Sequence, residues 1–212
     1  LLSLFGSKKK GLGSMEEVLE RLWRHSEIRH ELLDVLSILE ERISRLHRPL
    51  DSSHPIPLQV HASYSREEIL AAFGASTVSS PLPLQTGVYW HEESETDLFL
   101  VTINKSVKDY TPTTLYNDYA ISNDLFHWES QSTTAIASET GQRYISHVAG
   151  GSKVALFVRE AKEDFNGRTM PYFCAGHVTY VEHTGERPIA MTWRLKHSLP
   201  GDIYAAYRAA IA

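Results

Sequence analysis

The residue types best suited to chemistry are concentrated between residues 116 and 134. This stretch contains four aromatic rings, an imidazole, three carboxylates and several carboxamides. Flat rings next to amide and acid groups can hold a planar ligand that forms hydrogen bonds. A nucleobase is the commonest ligand of this kind, because it stacks on rings and is read along its edge. The stretch therefore predicts a base pocket.

The same pattern also fits a purely structural interpretation. Tyr119, Phe126 and Trp128 could be core residues of two strands, followed by a polar turn over residues 129–134. The sequence leaves both interpretations open, because alternation along a strand shows which side chains share a face but not what covers that face.

The charge of the chain limits how it could bind nucleic acid. The net charge is −5, and residues 51–212 carry 12 basic and 18 acidic side chains. Such a balance argues against binding by charge alone, so contact with DNA would depend on a small basic rim. The predicted phosphate-binding residues are Lys105, Lys108, Arg143 and Lys153.

Composition indicates a globular protein of a reducing compartment, and we expect a cytoplasmic location. The 212 residues are 42% hydrophobic and 22% charged, which is ordinary for a globular chain. Cys174 is the only cysteine, so an internal disulfide is excluded and a buried structural thiol is expected. No apolar run approaches the roughly 20 residues of a membrane span, and the sequence shows no signal-peptide pattern. Because the chain starts at Leu1, we expect it to be part of a longer protein.

The chain divides by pattern into three segments. Residues 1–14 read as a flexible connector, and residues 15–50 as a helical strut that breaks near Ser26. Three prolines, the first of them Pro49, then stop the helix. Residues 51–212 form the third segment, a β-rich domain that would read DNA.

The β-rich segment contains several short strand patterns between turn-rich links. Ser65 and Glu68 have the spacing of a capping box at the start of a helix, and Gly176 is a candidate bulge in a long strand. A short helix is expected over residues 202–210. We therefore predict an α+β fold, with a strongly bent, antiparallel, barrel-like sheet between an N-terminal helical segment and a short C-terminal helix. Strands are predicted at residues 58–62, 87–90, 97–103, 153–159, 172–183 and 189–195.

A series of motifs gives the chain a family resemblance over roughly residues 15–212. It resembles the C-terminal domain of restriction proteins that join a phospholipase-D-type nuclease to a helicase-like ATPase, the SauUSI type of modification-dependent restriction enzyme. The motifs are His61-x-x-Tyr64-Ser65-Arg66-Glu67-Glu68-Ile69, Thr102-Ile103-Asn104-Lys105, Tyr116-x-Asp118-Tyr119-Ala120-Ile121-Ser122, Phe126-His127-Trp128-x-Ser130-Gln131, Gly141-x-Arg143-Tyr144, Leu156-Phe157-Val158-Arg159-Glu160 and Arg187-Pro188-Ile189.

The resemblance implies target recognition. In such proteins the C-terminal domain detects 5-methylcytosine or 5-hydroxymethylcytosine in double-stranded DNA, while nuclease and ATPase domains elsewhere in the parent chain act on it. This sequence has neither a G-x-x-x-x-G-K-[ST] phosphate loop nor an H-x-K nuclease motif. We therefore expect a binding module rather than an enzyme, with no catalytic residues, no cofactor and no membrane partner. Glu129 stands where the family's motif has glutamine.

For a flipped cytosine, the residues suggest individual roles. Tyr119 and Trp128 would sandwich the base, Asp118 or Glu129 would accept a hydrogen bond from its exocyclic amine, and Gln131 would read the remaining edge. The full predicted base-binding set is Tyr116, Asp118, Tyr119, Phe126, His127, Trp128, Glu129 and Gln131.

Two other function classes remain as alternatives. The chain could be a structural or regulatory module that docks on the helicase-like ATPase, or, with less support, a nuclease. The eleven histidines are scattered and none has zinc-site spacing with Cys174, so we predict no metal site.

Overall fold

The computed structural model describes residues 15–42, 48–51, 56–77, 80–84, 86–104 and 117–209. The chain divides into two compact units, Leu1–His47 and Arg48–Ala212. Four of the predictions above fall outside the described residues. They are the connector 1–14, the stacking residue Tyr116, and the phosphate-binding residues Lys105 and Lys108.

The first unit contains two helices, α1 (Met15–Arg24) and α2 (Ser26–Arg42). The helical periodicity and the break next to Ser26 were predicted from the sequence, and the structure confirms both. Arg29 lies over the ring of Trp23, with 5.8 Å between its guanidinium carbon and the ring centroid. Trp23 is nevertheless 60% exposed.

The second unit is built on one mixed sheet of eight strands. Its strands are β1 (Ser63–Tyr64), β2 (Val88–His91), β3 (Thr96–Asn104), β4 (Tyr119–Ala120), β5 (Leu125–Glu129), β6 (Lys153–Ala161), β7 (Tyr172–Thr184) and β8 (Ala190–Leu195). Its helices are α3 (Arg66–Ala72), α4 (Glu139–Gly150) and α5 (Gly201–Ala209). The strand order is β2-β3-β6-β7-β8-β5-β4, and β1 pairs with the start of β7.

The predicted α+β class is confirmed, and the sheet is not closed into a barrel. All of its pairings are antiparallel except β3 with β6, which run parallel. That pair departs from the expected antiparallel pattern because β4, β5 and α4 form a long connection that returns the chain to the same end of the sheet.

A bulge bends β7, as the sequence predicted. The β6–β7 register shifts where Leu156 pairs with Gly176 and Phe157 pairs with Cys174. Gly176 has φ of +91°, a conformation that glycine adopts at little steric cost. The first half of β7 therefore pairs with β1 and β6, and the second half turns to pair with β8.

Several elements differ from the sequence prediction, and among them β4 and β5 were offered only as the structural interpretation of Tyr119, Phe126 and Trp128. The strand expected over residues 58–62 is an isolated bridge between Pro49 and Gln59, and regular pairing starts only at Ser63. Helix α4 was not predicted. It begins after an N-cap at Ser138 and ends at Gly151, which takes the left-handed conformation of a C-cap.

Both faces of the sheet are buried along its central strands β3 and β6. Along β3, Phe99 and Val101 belong to one core cluster, while Leu98 and Leu100 belong to the other. Helices α4 and α5 contribute side chains to the first cluster and α3 to the second. Cys174 lies in the second cluster, where burial raises the pKa of its thiol to about 12, so it is the buried structural thiol expected.

None of the described helices combines the length and the apolar character required to cross a bilayer.

Candidate nucleic-acid interface

Strand β5 separates the predicted base-binding residues onto two faces. Phe126 and Trp128 point into the core, whereas His127 and Glu129 point outward. The Trp128 ring stacks on Phe99, with centroids 4.1 Å apart and an interplanar angle of 22°, and meets the edge of Tyr144. Because Trp128 is only 4% exposed, its ring faces core residues rather than a ligand.

The structure does not bring Tyr119 and Trp128 together. Tyr119 pairs directly with His127 across β4 and β5, so it shares the face of His127 and lies opposite Trp128. The predicted sandwich of a base between Tyr119 and Trp128 is incompatible with this arrangement. Phe126 and Trp128 are core residues, as in the structural interpretation that the sequence left open.

The outward residues Tyr119, His127 and Glu129 form a group that we call the outer-face cluster. The rings of Tyr119 and His127 are stacked, with centroids 4.7 Å apart and an interplanar angle of 27°. Oε1 of Glu129 lies 4.0 Å from Nε2 of His127, and both side chains are about one-fifth exposed. The cluster thus offers a ring pair beside a carboxylate that can accept hydrogen bonds.

Two backbone contacts hold Glu129 in place. Buried Asp118 accepts a hydrogen bond from the Glu129 backbone N–H at 2.9 Å. The Asn117 backbone N–H donates to Oε2 of Glu129 at 3.2 Å. Asp118 therefore positions the strand that carries the cluster, while Glu129 presents Oε1 on the side of His127.

Gln131 lies just beyond β5. It begins a turn in which the Thr134 N–H donates to its backbone carbonyl at 2.8 Å. A turn here agrees with the structural interpretation left open by the sequence, although Glu129 itself is the last residue of β5. Gln131 lies two residues beyond Glu129 along the chain.

Arg143, one of the predicted phosphate-binding residues, forms an ion pair with a buried carboxylate. Its guanidinium donates to both oxygens of Asp97 at 2.8 and 2.9 Å and lies 4.2 Å from the Trp90 ring centroid. The Asp97 side chain is 0% exposed. Burial raises the pKa of Asp97, although Arg143 acts in the opposite direction. Arg143 therefore neutralises a core charge.

Lys153, another predicted phosphate-binding residue, also has an acidic partner. Its Nζ lies 2.6 Å from Oδ2 of Asp51, whose side chain is only 7% exposed. Unlike Arg143, Lys153 also borders a cleft.

The sequence did not predict this cleft. It has a volume of about 430 Å³ and lies between residues 49–51, the turn from α4 to β6, β7 and the end of β8. No local pattern could have revealed it, because residues far apart in the chain meet there. Its polar lining includes Asp51, Lys153, His177, Lys196 and His197.

His147 borders the same cleft but has a structural role. The Tyr180 backbone N–H donates to its Nε2 at 3.1 Å, and its Nδ1 lies 3.4 Å from the Ser152 carbonyl. Burial lowers the pKa of His147, which agrees with a neutral ring accepting that hydrogen bond. Within the part of the chain that the structure describes, no group of three His, Cys, Asp or Glu side chains could hold a metal ion.

The motif Gly141-x-Arg143-Tyr144 is likewise structural. A Cβ on Gly141 would collide with the carbonyl oxygen of Ala135, so glycine permits the close approach of α4 to residues 135 and 136. Tyr144 is buried against Phe99.

The fold and the outer-face cluster thus define an α+β domain with an aromatic and acidic surface at one end of a mixed sheet. The chain belongs to the family described as a domain of unknown function, DUF3427, whose profile matches residues 58–207. No curated protein shows a significant match to the sequence.

Among solved structures, the chain is similar to the 5-hydroxymethylcytosine-specific restriction enzyme AbaSI. The similarity has a TM-score of 0.41 at 13% sequence identity, and it covers 92% of this chain and 59% of that one. The matched region is therefore less than two-thirds of the length of that enzyme.

Proposed function

We propose that this chain is a DNA-binding module that recognises modified cytosine, 5-methylcytosine or 5-hydroxymethylcytosine, for a modification-dependent restriction enzyme. The observation that carries the proposal is the outer-face cluster, in which stacked rings and a positioned carboxylate lie on one partly exposed surface. The motifs shared with the SauUSI type, described above, support the same function. The nuclease and the helicase-like ATPase would belong to other domains of the parent chain.

Recognition would combine stacking with a single acidic acceptor. A base extruded from the duplex stacks on the Tyr119–His127 pair, and Glu129 accepts a hydrogen bond from the cytosine amine. A methyl group at position 5, resting on a ring, contributes about 1 kcal/mol. Extrusion costs a few kcal/mol, and because Trp128 is not available as a second ring, binding by the isolated module is weak.

The first test compares duplexes that differ only in the modification of one cytosine. Fluorescence anisotropy with labelled oligonucleotides should show tighter binding of the modified duplex. Equal binding of both duplexes would contradict base reading and favour the alternative, a module that docks on the ATPase.

Replacing Tyr119 with alanine is expected to weaken binding of the modified duplex by about tenfold, because base–aromatic stacking contributes about 1–3 kcal/mol per base. Tyr119→Phe keeps the ring and should retain the affinity. The same anisotropy titration measures both variants. Equal losses in the two variants would point to the hydroxyl group rather than to stacking.

Glu129→Ala removes the proposed acceptor for the exocyclic amine. We expect its preference for modified cytosine over thymine at the target position to disappear, because thymine has no amine to donate and an edge contact contributes about 1–3 kcal/mol. Glu93, an exposed carboxylate in the turn between β2 and β3, provides the matched control, Glu93→Ala. Full preference in a folded Glu129→Ala variant would remove Glu129 from the site.

A further inference from the structure

We propose that the cleft between the α4–β6 turn, β7 and the end of β8 binds a phosphate group carried by a nucleotide. The proposal does not depend on base reading by the outer-face cluster. It rests on the charge, the hydrogen-bonding groups and the dimensions of the cleft.

Basic side chains outnumber acidic ones at this cleft. Lys153 and Lys196 line it together with a single carboxylate, Asp51. Arg48 lies near enough to His197 for its charge to act on that ring. This local excess contrasts with the acidic balance of residues 51–212 as a whole. An anion is therefore the ligand whose charge this surface complements.

The cationic groups are held by the fold. Asp51 is largely buried and fixes Nζ of Lys153 at 2.6 Å, so this ammonium is ordered before a ligand arrives. The Lys196 backbone N–H donates to the His177 carbonyl at 3.0 Å, which fastens the end of β8 to β7. The Lys196 side chain is exposed, so it can reach a phosphate at the opening of the cleft.

His177 is a titratable group in the wall of the cleft. Its Nδ1 lies 3.2 Å from the Val154 carbonyl, which assigns the neutral-ring proton to Nδ1. Nε2 is buried and has no hydrogen-bond partner in the described structure. Protonation of the ring would add a positive charge to the wall of the cleft, and this charge would attract an anion.

Two histidines of the cleft are held in the neutral form in the absence of an anion. Burial is the main cause that lowers the pKa of His177, and Lys153 and Lys196 lower it further. Burial also lowers the pKa of His197, with Arg48 and Lys196 adding to the effect. A bound phosphate would reverse these interactions by stabilising the imidazolium forms.

The size and the apolar wall of the cleft indicate a nucleotide rather than a bare anion. Its volume of about 430 Å³ is within the range of small-molecule sites. Val148, which lines the cleft and is 67% exposed, offers apolar surface suited to a sugar or base. Gly176 keeps this region compact, since a Cβ there would lie 3.2 Å from Val60 and 3.7 Å from the His197 ring.

The test uses the full chain and three phosphate-bearing probes: inorganic phosphate, a dinucleoside monophosphate and an unmodified DNA duplex. Isothermal titration calorimetry gives the affinities, and histidine ring resonances in NMR spectra locate the site. We expect the dinucleotide to bind and to shift the rings of His177 and His197. Competition by the duplex would identify the DNA backbone as the source of the phosphate, and binding of the dinucleotide alone would identify a free nucleotide.

Two variants change the cleft without removing a buried group. Lys196→Gln should weaken dinucleotide binding about tenfold, since charge-assisted hydrogen bonds are roughly twice as strong as neutral ones. Thr179→Glu introduces a carboxylate at an exposed position of the lining and should abolish binding. Arg208→Gln, an exposed site on α5, is the charge-matched control and should bind like the parent chain.

The pH dependence gives an independent readout. The charged and titratable groups facing His177 and His197 are Arg48, Asp51, Lys153 and Lys196, and His61 lies 6.5 Å from His197 between ring centroids. A phosphodiester keeps its charge in this range, so dinucleotide binding should strengthen as pH falls from about 7.5 to about 5.5, with proton uptake. Binding that is unaffected by Lys196→Gln and Thr179→Glu, or no binding by any probe, would overturn the proposal.

Discussion

Trp128→Ala is expected to lower the free energy of unfolding by about 3–5 kcal/mol, the usual cost of truncating a large buried aromatic residue. The ring stacks on Phe99 and meets the edges of Tyr144 and Trp193. Alanine would leave a cavity among these rings, and because they pack against one another, the site can collapse only partly. Trp128→Ala is therefore expected to lower the stability of the fold rather than to remove a contact with a ligand.

Urea denaturation followed by circular dichroism measures this loss. Trp23→Ala is the matched control, because it removes the same side chain at a position that is 60% exposed, where we expect a change within about 0.5 kcal/mol. A Trp128→Ala protein with unchanged stability and lost affinity for modified DNA would instead make Trp128 a ligand-contacting ring.

The different outcomes for Trp128 and Tyr119 show what the sequence could and could not predict. Alternation along residues 125–129 fits the structural interpretation that the sequence left open, and in the observed strand it separates Trp128 from His127 onto opposite faces. It does not predict which face is covered, because that depends on Phe99 and Tyr144. A dense group of aromatic residues is therefore equally compatible with a core and with a base pocket.

The basic residues show that the sequence is equally unable to predict the partners of charged side chains. Arg143 meets Asp97 and Lys153 meets Asp51 across 46 and 102 positions of the chain. A count of charges along the sequence does not show which cations are paired with carboxylates far away in the chain. It therefore treats every cation as able to bind phosphate. By contrast, the Ser65–Glu68 capping box and the Gly176 bulge depend on local geometry, and both were predicted.

Helix α4 was missed for a related reason. Gly141 has low helical propensity and weakens the local pattern. In the structure it is required at that position, since a Cβ would collide with the carbonyl oxygen of Ala135. A contact made by tertiary packing thus outweighs the local preference, and a sequence pattern cannot indicate it.

Removal of the Arg143 side chain should be as costly as the Trp128 truncation. Arg143→Ala leaves the carboxylate of Asp97, which is 0% exposed, without its bidentate partner. Breaking a buried ion pair in this way typically costs about 3–5 kcal/mol, because an uncompensated charge remains in the core. Asp97→Asn tests the same ion pair by removing the charge of the other partner. Arg143 is 21% exposed and can turn toward water, so we expect a smaller loss.

Lowering the pH should restore part of the stability that Arg143→Ala loses. This pH dependence separates an electrostatic cause of the loss from a loss of packing. Burial already raises the pKa of Asp97 above 3.8 while Arg143 opposes it, so removing Arg143 raises that pKa further. A raised carboxyl pKa means that the folded state binds the proton more tightly than the unfolded state. Stability therefore falls as pH rises through the folded-state pKa. The stability deficit of Arg143→Ala should be smaller at about pH 5 than at about pH 7.

Urea denaturation at the two pH values measures this difference, and DNA titration of the folded variant tests the alternative role. If Arg143 only neutralises Asp97, the folded variant keeps its affinity for DNA. A pH-independent deficit would assign the loss to packing on Trp90, over which the guanidinium lies at 4.2 Å. Unchanged stability with weakened DNA binding would return Arg143 to the phosphate contacts predicted from the sequence, since the ion pair would then be dispensable for the fold.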